Sequence, residues 1–112
     1  MHLRFSSSPL ADVCGSVKAI DQKWGASLGA CIRRRLVLLV AVPTLDWLTE
    51  YPGALPKKIR TDQRDRFSIS VRQDCQIVVA PDHKPIPRSA NGDLLAKKVD
   101  RLLVLEVTTH GS

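Results

Sequence analysis

No apolar run in this chain is long enough to cross a bilayer. The longest, Leu36 to Val42, has seven residues, against about 20 for a spanning helix. The opening Met1-His2-Leu3-Arg4-Phe5 lacks the apolar stretch of a signal peptide. A soluble, intracellular protein is therefore expected, with no membrane partner. There is no CxxC pair: Cys14, Cys31 and Cys75 lie far apart. An odd count without metal-ligand spacing argues against a disulfide framework and against structural zinc, and favours reduced thiols. No paired-carboxylate motif, phosphate-cradling glycine loop or nucleophile elbow is found. At 112 residues the chain has no room for a separate cofactor domain and reads as one domain over 1–112.

What is present is a core and a surplus of positive charge. Hydrophobic residues make up 44% of the chain, enough to fold and too many for a disordered tail. Lys plus Arg number 17 against 11 Asp plus Glu, a net of +6. That balance points to an acidic partner, either a phosphate backbone or an acidic protein.

The hydrophobic pattern changes period along the chain. Residues 2–6 can form an edge strand. Ser6-Ser7-Ser8-Pro9 reads as a helix start, a serine cap followed by proline in the first turn. Leu10, Val13, Cys14, Val17 and Ile20 follow at helical spacing, which predicts one helix as far as Trp24-Gly25. Leu28, Cys31, Ile32, Leu36, Leu39 and Val40 predict a second helix over 26–41, ended by Pro43 and packed on the first as a hairpin. The segment 44–56 holds two prolines and a glycine. It is expected to be irregular, with Leu45, Trp47, Leu48 and Tyr51 against the core. Phe67, Ile69 and Val71 then alternate with Ser68, Ser70 and Arg72, a half-buried strand. Gln73-Asp74 is a tight turn into a second strand over 75–80. Pro81 to Gly92 is a loop, and 99–109 is a long strand with Leu103, Leu105 and Val107 on one face. The fold class is α+β, an N-terminal helical hairpin packed on a small, mainly antiparallel sheet.

Residues 57–72 read KKIRTDQRDRFSISVR. Six of the sixteen are basic, Lys57, Lys58, Arg60, Arg64, Arg66 and Arg72, opposed by Asp62 and Asp65. Cations on one sheet face or its rim would hold phosphates without sequence preference; the alternative is a solvated face that serves solubility. Arg33, Arg34 and Arg35 are consecutive on a helix and point in three directions, so they suit solvent or an acidic partner better than one flat phosphate patch. His110, at the end of the last strand, is either a solvated terminal side chain or a general acid–base. His83, in the proline-rich loop, and His2 carry no such signal.

Three segments in order resemble the RelE/HigB superfamily of bacterial toxins, in its plasmid-maintenance-killer branch. They are FSSSPLADVCGSVKAIDQKWG with CIRRRLVLLVAVPTLDWL, then IRTDQRDRFSISVRQDCQIVVAPDHKPIPRSANGDLLAKKV, then VLEVTTH. The similarity covers nearly the whole chain and rests on the ordered set rather than on one motif. It implies a RelE-like fold and a toxin neutralised by a HigA-like helix-turn-helix antitoxin, with operator DNA bound through that antitoxin. It also implies endonucleolytic cutting of messenger RNA on the ribosome, by chemistry that needs no metal or other cofactor. On this resemblance His110, Arg64 and Lys57 are the catalytic candidates. Lys58, Arg60, Arg66 and Arg72 would bind RNA phosphates, and Arg33, Arg34 and Arg35 would meet the antitoxin.

The chain departs from the family pattern at defined places. Lys57 stands where relatives commonly have a histidine, Cys75-Gln76 replaces an aromatic–arginine pair, and Thr108-Thr109-His110-Gly111 has no tyrosine. Glutamine does not supply the fixed positive fork of arginine. Two further readings therefore stay open: a catalytically impaired toxin-fold protein that acts through antitoxin and operator binding, and a ParE-like poison of DNA gyrase.

Overall fold

The computed structural model describes residues 1–59 and 65–109; Arg60, Arg64 and His110 lie outside the described residues. The chain opens with β1 (His2–Phe5), whose alternate residues Leu3 and Phe5 are half-buried. Ser7 caps α1 (Ser8–Cys14), its Oγ accepting from the Leu10 N–H at 3.3 Å. The single helix expected to Trp24 is broken. The Gly15 N–H donates to the Ala11 carbonyl at 3.0 Å and ends α1. One residue on, the Ser16 Oγ accepts from the Ala19 N–H at 3.2 Å and starts α2 (Val17–Trp24). A glycine beside a capping serine supplies both a stop and a start, which outweighs the continuous apolar stripe.

Gly25, at φ +84°, turns the chain from α2 into α3 (Ala26–Ala41). Gly29 then allows the two helices to approach: a Cβ there would lie 2.2 Å from Asp21 Oδ1 and 3.3 Å from Asp21 Cα. At the far end of α3 the Met1 nitrogen donates to the carbonyls of Leu39 and Val40, at 3.0 and 2.8 Å. It thereby satisfies acceptors that a helix end leaves free. Among the described residues no helix is long and apolar enough to cross a membrane.

The remaining strands are β2 (Lys57–Lys58), β3 (Phe67–Arg72), β4 (Cys75–Pro81) and β5 (Arg101–Thr109). They form one five-stranded sheet in the order β1-β5-β4-β3-β2. β1 runs parallel to β5 and every other pair is antiparallel. Ile20, Leu28, Ile32 and Leu39 of the helices meet Ile69, Ile77, Val79, Leu102 and Val104 of the sheet in one core. The expected α+β layering, helices on one face of a mainly antiparallel sheet, is the layering observed.

Three local expectations are corrected. Residues 44–56 are not irregular: Leu45–Glu50 and Pro52–Ala54 are 3-10 turns. Leu45 and Leu48 are buried there, while Trp47 and Tyr51 are 49% and 42% exposed, because a short tight helix buries only one edge. The final strand begins at Arg101 rather than 99, since Ala96–Lys98 forms another 3-10 turn. Its faces also differ. Leu102 and Val104 fill the core, Leu103 and Leu105 are half-buried, and Val107 packs against the core. The register explains this: Val79 pairs with Val104 but Val78 pairs with Glu106, so Leu105 is an extra residue in β5. That bulge reverses the phase of the alternation.

The Arg4 guanidinium holds Asp82 through two hydrogen bonds, Nε at 2.8 Å and Nη2 at 2.9 Å, tying β1 to the chain just after β4. Hydrogen bonding to Arg4 lowers the Asp82 pKa below 3.8, against some opposing desolvation. A carboxylate depressed in the fold adds stability above its unfolded pKa and loses it as pH falls through the folded value. Native protein and Asp82→Asn should therefore differ in urea midpoint at neutral pH and converge in strong acid. A gap that stayed constant down the acid limb would count against this pairing.

Candidate nucleic-acid interface

The sheet face turned away from the helices is built from alternate residues of four strands, β2 to β5. Ser70 pairs with Gln76 and Gln76 with Thr108, giving one polar row. The next row runs Lys57, Ser68, Val78, Glu106. Lys57 owes its place to β2, whose ladder continues where the Ile59 N–H donates to the Arg66 carbonyl at 2.9 Å. Beside this row lies a cleft of about 280 Å³ lined by Asp65, Arg66, Arg88, Ile86, Leu103 and Leu105. Lys57 and Arg66 are thus on one face. Lys57 is exposed and Arg66 half-buried. Two cations, hydroxyls and an amide on one face can hold a phosphate and receive developing negative charge, with Glu106 at the other end of the Lys57 row opposing them. No histidine or tyrosine of the described residues lies in these two rows.

The other basic candidates are placed elsewhere. Lys58 pairs with Phe67 and so faces the helix side of the sheet. There it lines a cavity of about 380 Å³ with Leu55, Phe67 and Leu94. Adjacent strand residues point to opposite faces, which is why two neighbouring lysines do not form one patch. Arg72 is held at the hairpin turn, its Nε donating to Asp74 at 2.8 Å and its Nη1 to Ser27 of α3 at 3.4 Å. Arg33 lies 3.6 Å from Asp21 of α2. Arg35 is half-buried with its Nη2 near Gly53, and Arg34 is exposed. The three arginines diverge, as consecutive helix residues must.

Two residues of this surface were not picked out from the sequence. Glu106 reaches the open face only because of the β5 bulge, which no local pattern announces. Arg88 stands in the long loop, where a small ladder directs it. Arg88 bridges to Leu94, Gly92 takes φ +87°, and the Ser89 N–H donates to Asp93 at 2.8 Å. Arg88 then donates to the Gly92 carbonyl at 3.2 Å and pairs with the buried Asp65. The Asn91-Gly92 turn between Arg88 and Leu94 is the signal that could have shown it.

Burial pushes the thiols of Cys14 and Cys75 up, chiefly by desolvation, so neither is a poised nucleophile. His83 is largely buried, its Nε2 3.4 Å from Asp100, beside the first residues of β5. Comparison with protein-family models, with curated proteins and with solved structures finds no match to this chain.

Proposed function

We propose that the chain is a RelE/HigB-like toxin that cuts messenger RNA on the ribosome. The observation that carries this reading is Lys57 and Arg66 together on an open sheet face, next to the row of Ser70, Gln76 and Thr108. The helix-on-sheet layering and the net charge of +6 accord with it. In this mechanism a 2′-hydroxyl loses its proton and attacks the adjacent phosphorus. The bond to the 5′-oxygen breaks, leaving a 2′,3′-cyclic phosphate and a protonated 5′-hydroxyl. Lys57 and Arg66 hold the phosphoryl oxygens as negative charge builds. His110 and Arg64 remain the candidates for moving the proton and binding the leaving side, as the resemblance implies.

Primer extension on a defined message, with and without ribosomes, tests the proposal. Cuts at fixed codon positions are expected only with ribosomes. Lys57→Ala with Arg66→Ala should lower the cutting rate by about 10²–10³, while Lys58→Ala, on the other face, should change it little. Cutting that survives the double change would overturn this site.

Gln76 favours a second reading. It sits in the centre of the polar row as a neutral amide where a guanidinium would add charge. A toxin-fold protein that binds antitoxin without cutting would fold and pair normally, yet give no cuts at any concentration. Gln76→Arg would then be the change expected to raise cutting.

A further inference from the structure

The cavity that Lys58 lines, on the helix side of the sheet edge, has the make-up of a small-molecule site. Its volume of about 380 Å³ falls within the range of such sites. Its apolar lining is Leu45, Leu55, Phe67, Leu94 and Ala96. Leu45 is buried, Phe67, Leu94 and Ala96 are half-buried, and Leu55 is exposed. The apolar surface therefore runs from the mouth inward, as a floor for an apolar group.

Charged side chains share this lining: Asp46, Lys58, Asp65, Arg88 and Asp93. Two of them cancel, because Arg88 pairs with the buried Asp65. The other three carry charge that the fold does not use. Lys58 and Asp93 have no side-chain hydrogen bond or ion pair among the described residues. Asp46 accepts from the Thr44 hydroxyl and has no cation beside it among them. The three come from two sides. Asp46 follows Leu45, whose N–H donates to the Val99 carbonyl at 2.9 Å, next to the turn Ala96–Lys98. Asp93 stands three residues before that same turn. Lys58 comes from the opposite quarter, on the edge strand β2 beyond β3.

This lining selects among ligands. A simple anion would meet two carboxylates, and a simple cation would leave Lys58 unmatched. A wholly apolar molecule would strip water from all three charges and pair none of them. A zwitterion with an apolar body matches every group. We propose that this cavity binds a free α-amino acid with a large apolar side chain. Its ammonium lies between Asp46 and Asp93, its carboxylate meets Lys58, and its side chain rests on Leu45, Phe67 and Leu94. Charge-assisted hydrogen bonds fix the orientation, and the apolar side chain supplies most of the affinity. The site lies on the face opposite Lys57, needs no nuclease activity and stands apart from the RNA reading.

The test is an amide NMR titration of the full chain with L-phenylalanine. Saturable shifts are expected at Leu55, Phe67 and Leu94, with a Kd of about 1 mM or below. Three probes each remove one feature: phenylpropionate lacks the ammonium, phenethylamine the carboxylate, and L-alanine the ring. Each should bind at least about tenfold more weakly. Lys58→Met and Asp93→Asn, both at exposed positions, should each weaken phenylalanine to the same degree. Lys57→Ala with Arg66→Ala should leave binding unchanged, which separates this site from the proposed RNA face. No shifts at about 10 mM phenylalanine would overturn the proposal. So would phenethylamine or phenylpropionate binding as tightly as phenylalanine, since the zwitterion would then not be what is recognised.

Discussion

Leu39→Ala is expected to remove about 2–5 kcal/mol of unfolding free energy, lowering the melting temperature by roughly 10–20 °C. Leu39 is 0% exposed and lies on the stripe of α3 that faces the sheet, with Ile32 and Leu36. Truncation removes methyl groups and leaves a void in a packed layer, and the surrounding strands cannot collapse into it freely. The same helix supplies its own control. Val37 is 67% exposed, so Val37→Ala should stay within about 0.5 kcal/mol of the native value. Urea unfolding of the two variants separates the faces of α3. Equal losses would mean that the helix is rotated from its described position.

The second large effect is expected at Asp65 and Arg88, and its sign depends on how the pair is broken. Asp65 is 8% exposed and Arg88 reaches it from the loop, contacting Gly92 on the way. Removing the guanidinium alone strands a buried carboxylate. Arg88→Met should therefore cost roughly 3 kcal/mol. The Arg88 side chain is 39% exposed, so water enters more readily than in a deep core and the loss falls at the low end of the range for such pairs. The double change, Asp65→Leu with Arg88→Met, should recover most of that loss, because an apolar pair of similar size has no charge to solvate. The loop would still be anchored by the Arg88–Leu94 bridge. A double variant no more stable than Arg88→Met would show that the charge pair, rather than its desolvation, governs this corner.

Long-period signals were the legible ones. The alternation through Phe67–Arg72 and the helical spacing through Ala26–Ala41 each extend over several repeats, and both elements lie where that spacing places them. Short-range competition was harder to read. Gly15 and Ser16 interrupt an apolar stripe that continues on both sides, and only the local hydrogen bonds of these two residues decide the break. The phase of β5 turns on one extra residue, Leu105, and no residue type there marks the bulge. Lys57 and Lys58 could be separated onto two faces only after β2 was known to be a strand. The basic stretch showed that cations gather near the central hairpin. It did not show that Arg72 would be taken up by Asp74 and Ser27, since those contacts depend on where α3 crosses the hairpin.

The parallel pairing of β1 with β5 has a consequence for how the chain is made. Residues 2–5 are synthesised well before their strand partners, residues 101–104. Closing so long a loop carries an entropic cost that nearby contacts cannot share, and topologies of this kind fold slowly. Until β5 arrives, β1 has no strand to join and β4 lacks one neighbour. The helices and the β3–β4 hairpin can form before β5 is made, but the sheet is joined into one unit only once β5 is present. A nascent chain therefore has no complete open face until residues 101–109 have been made, and whatever that face does begins only then.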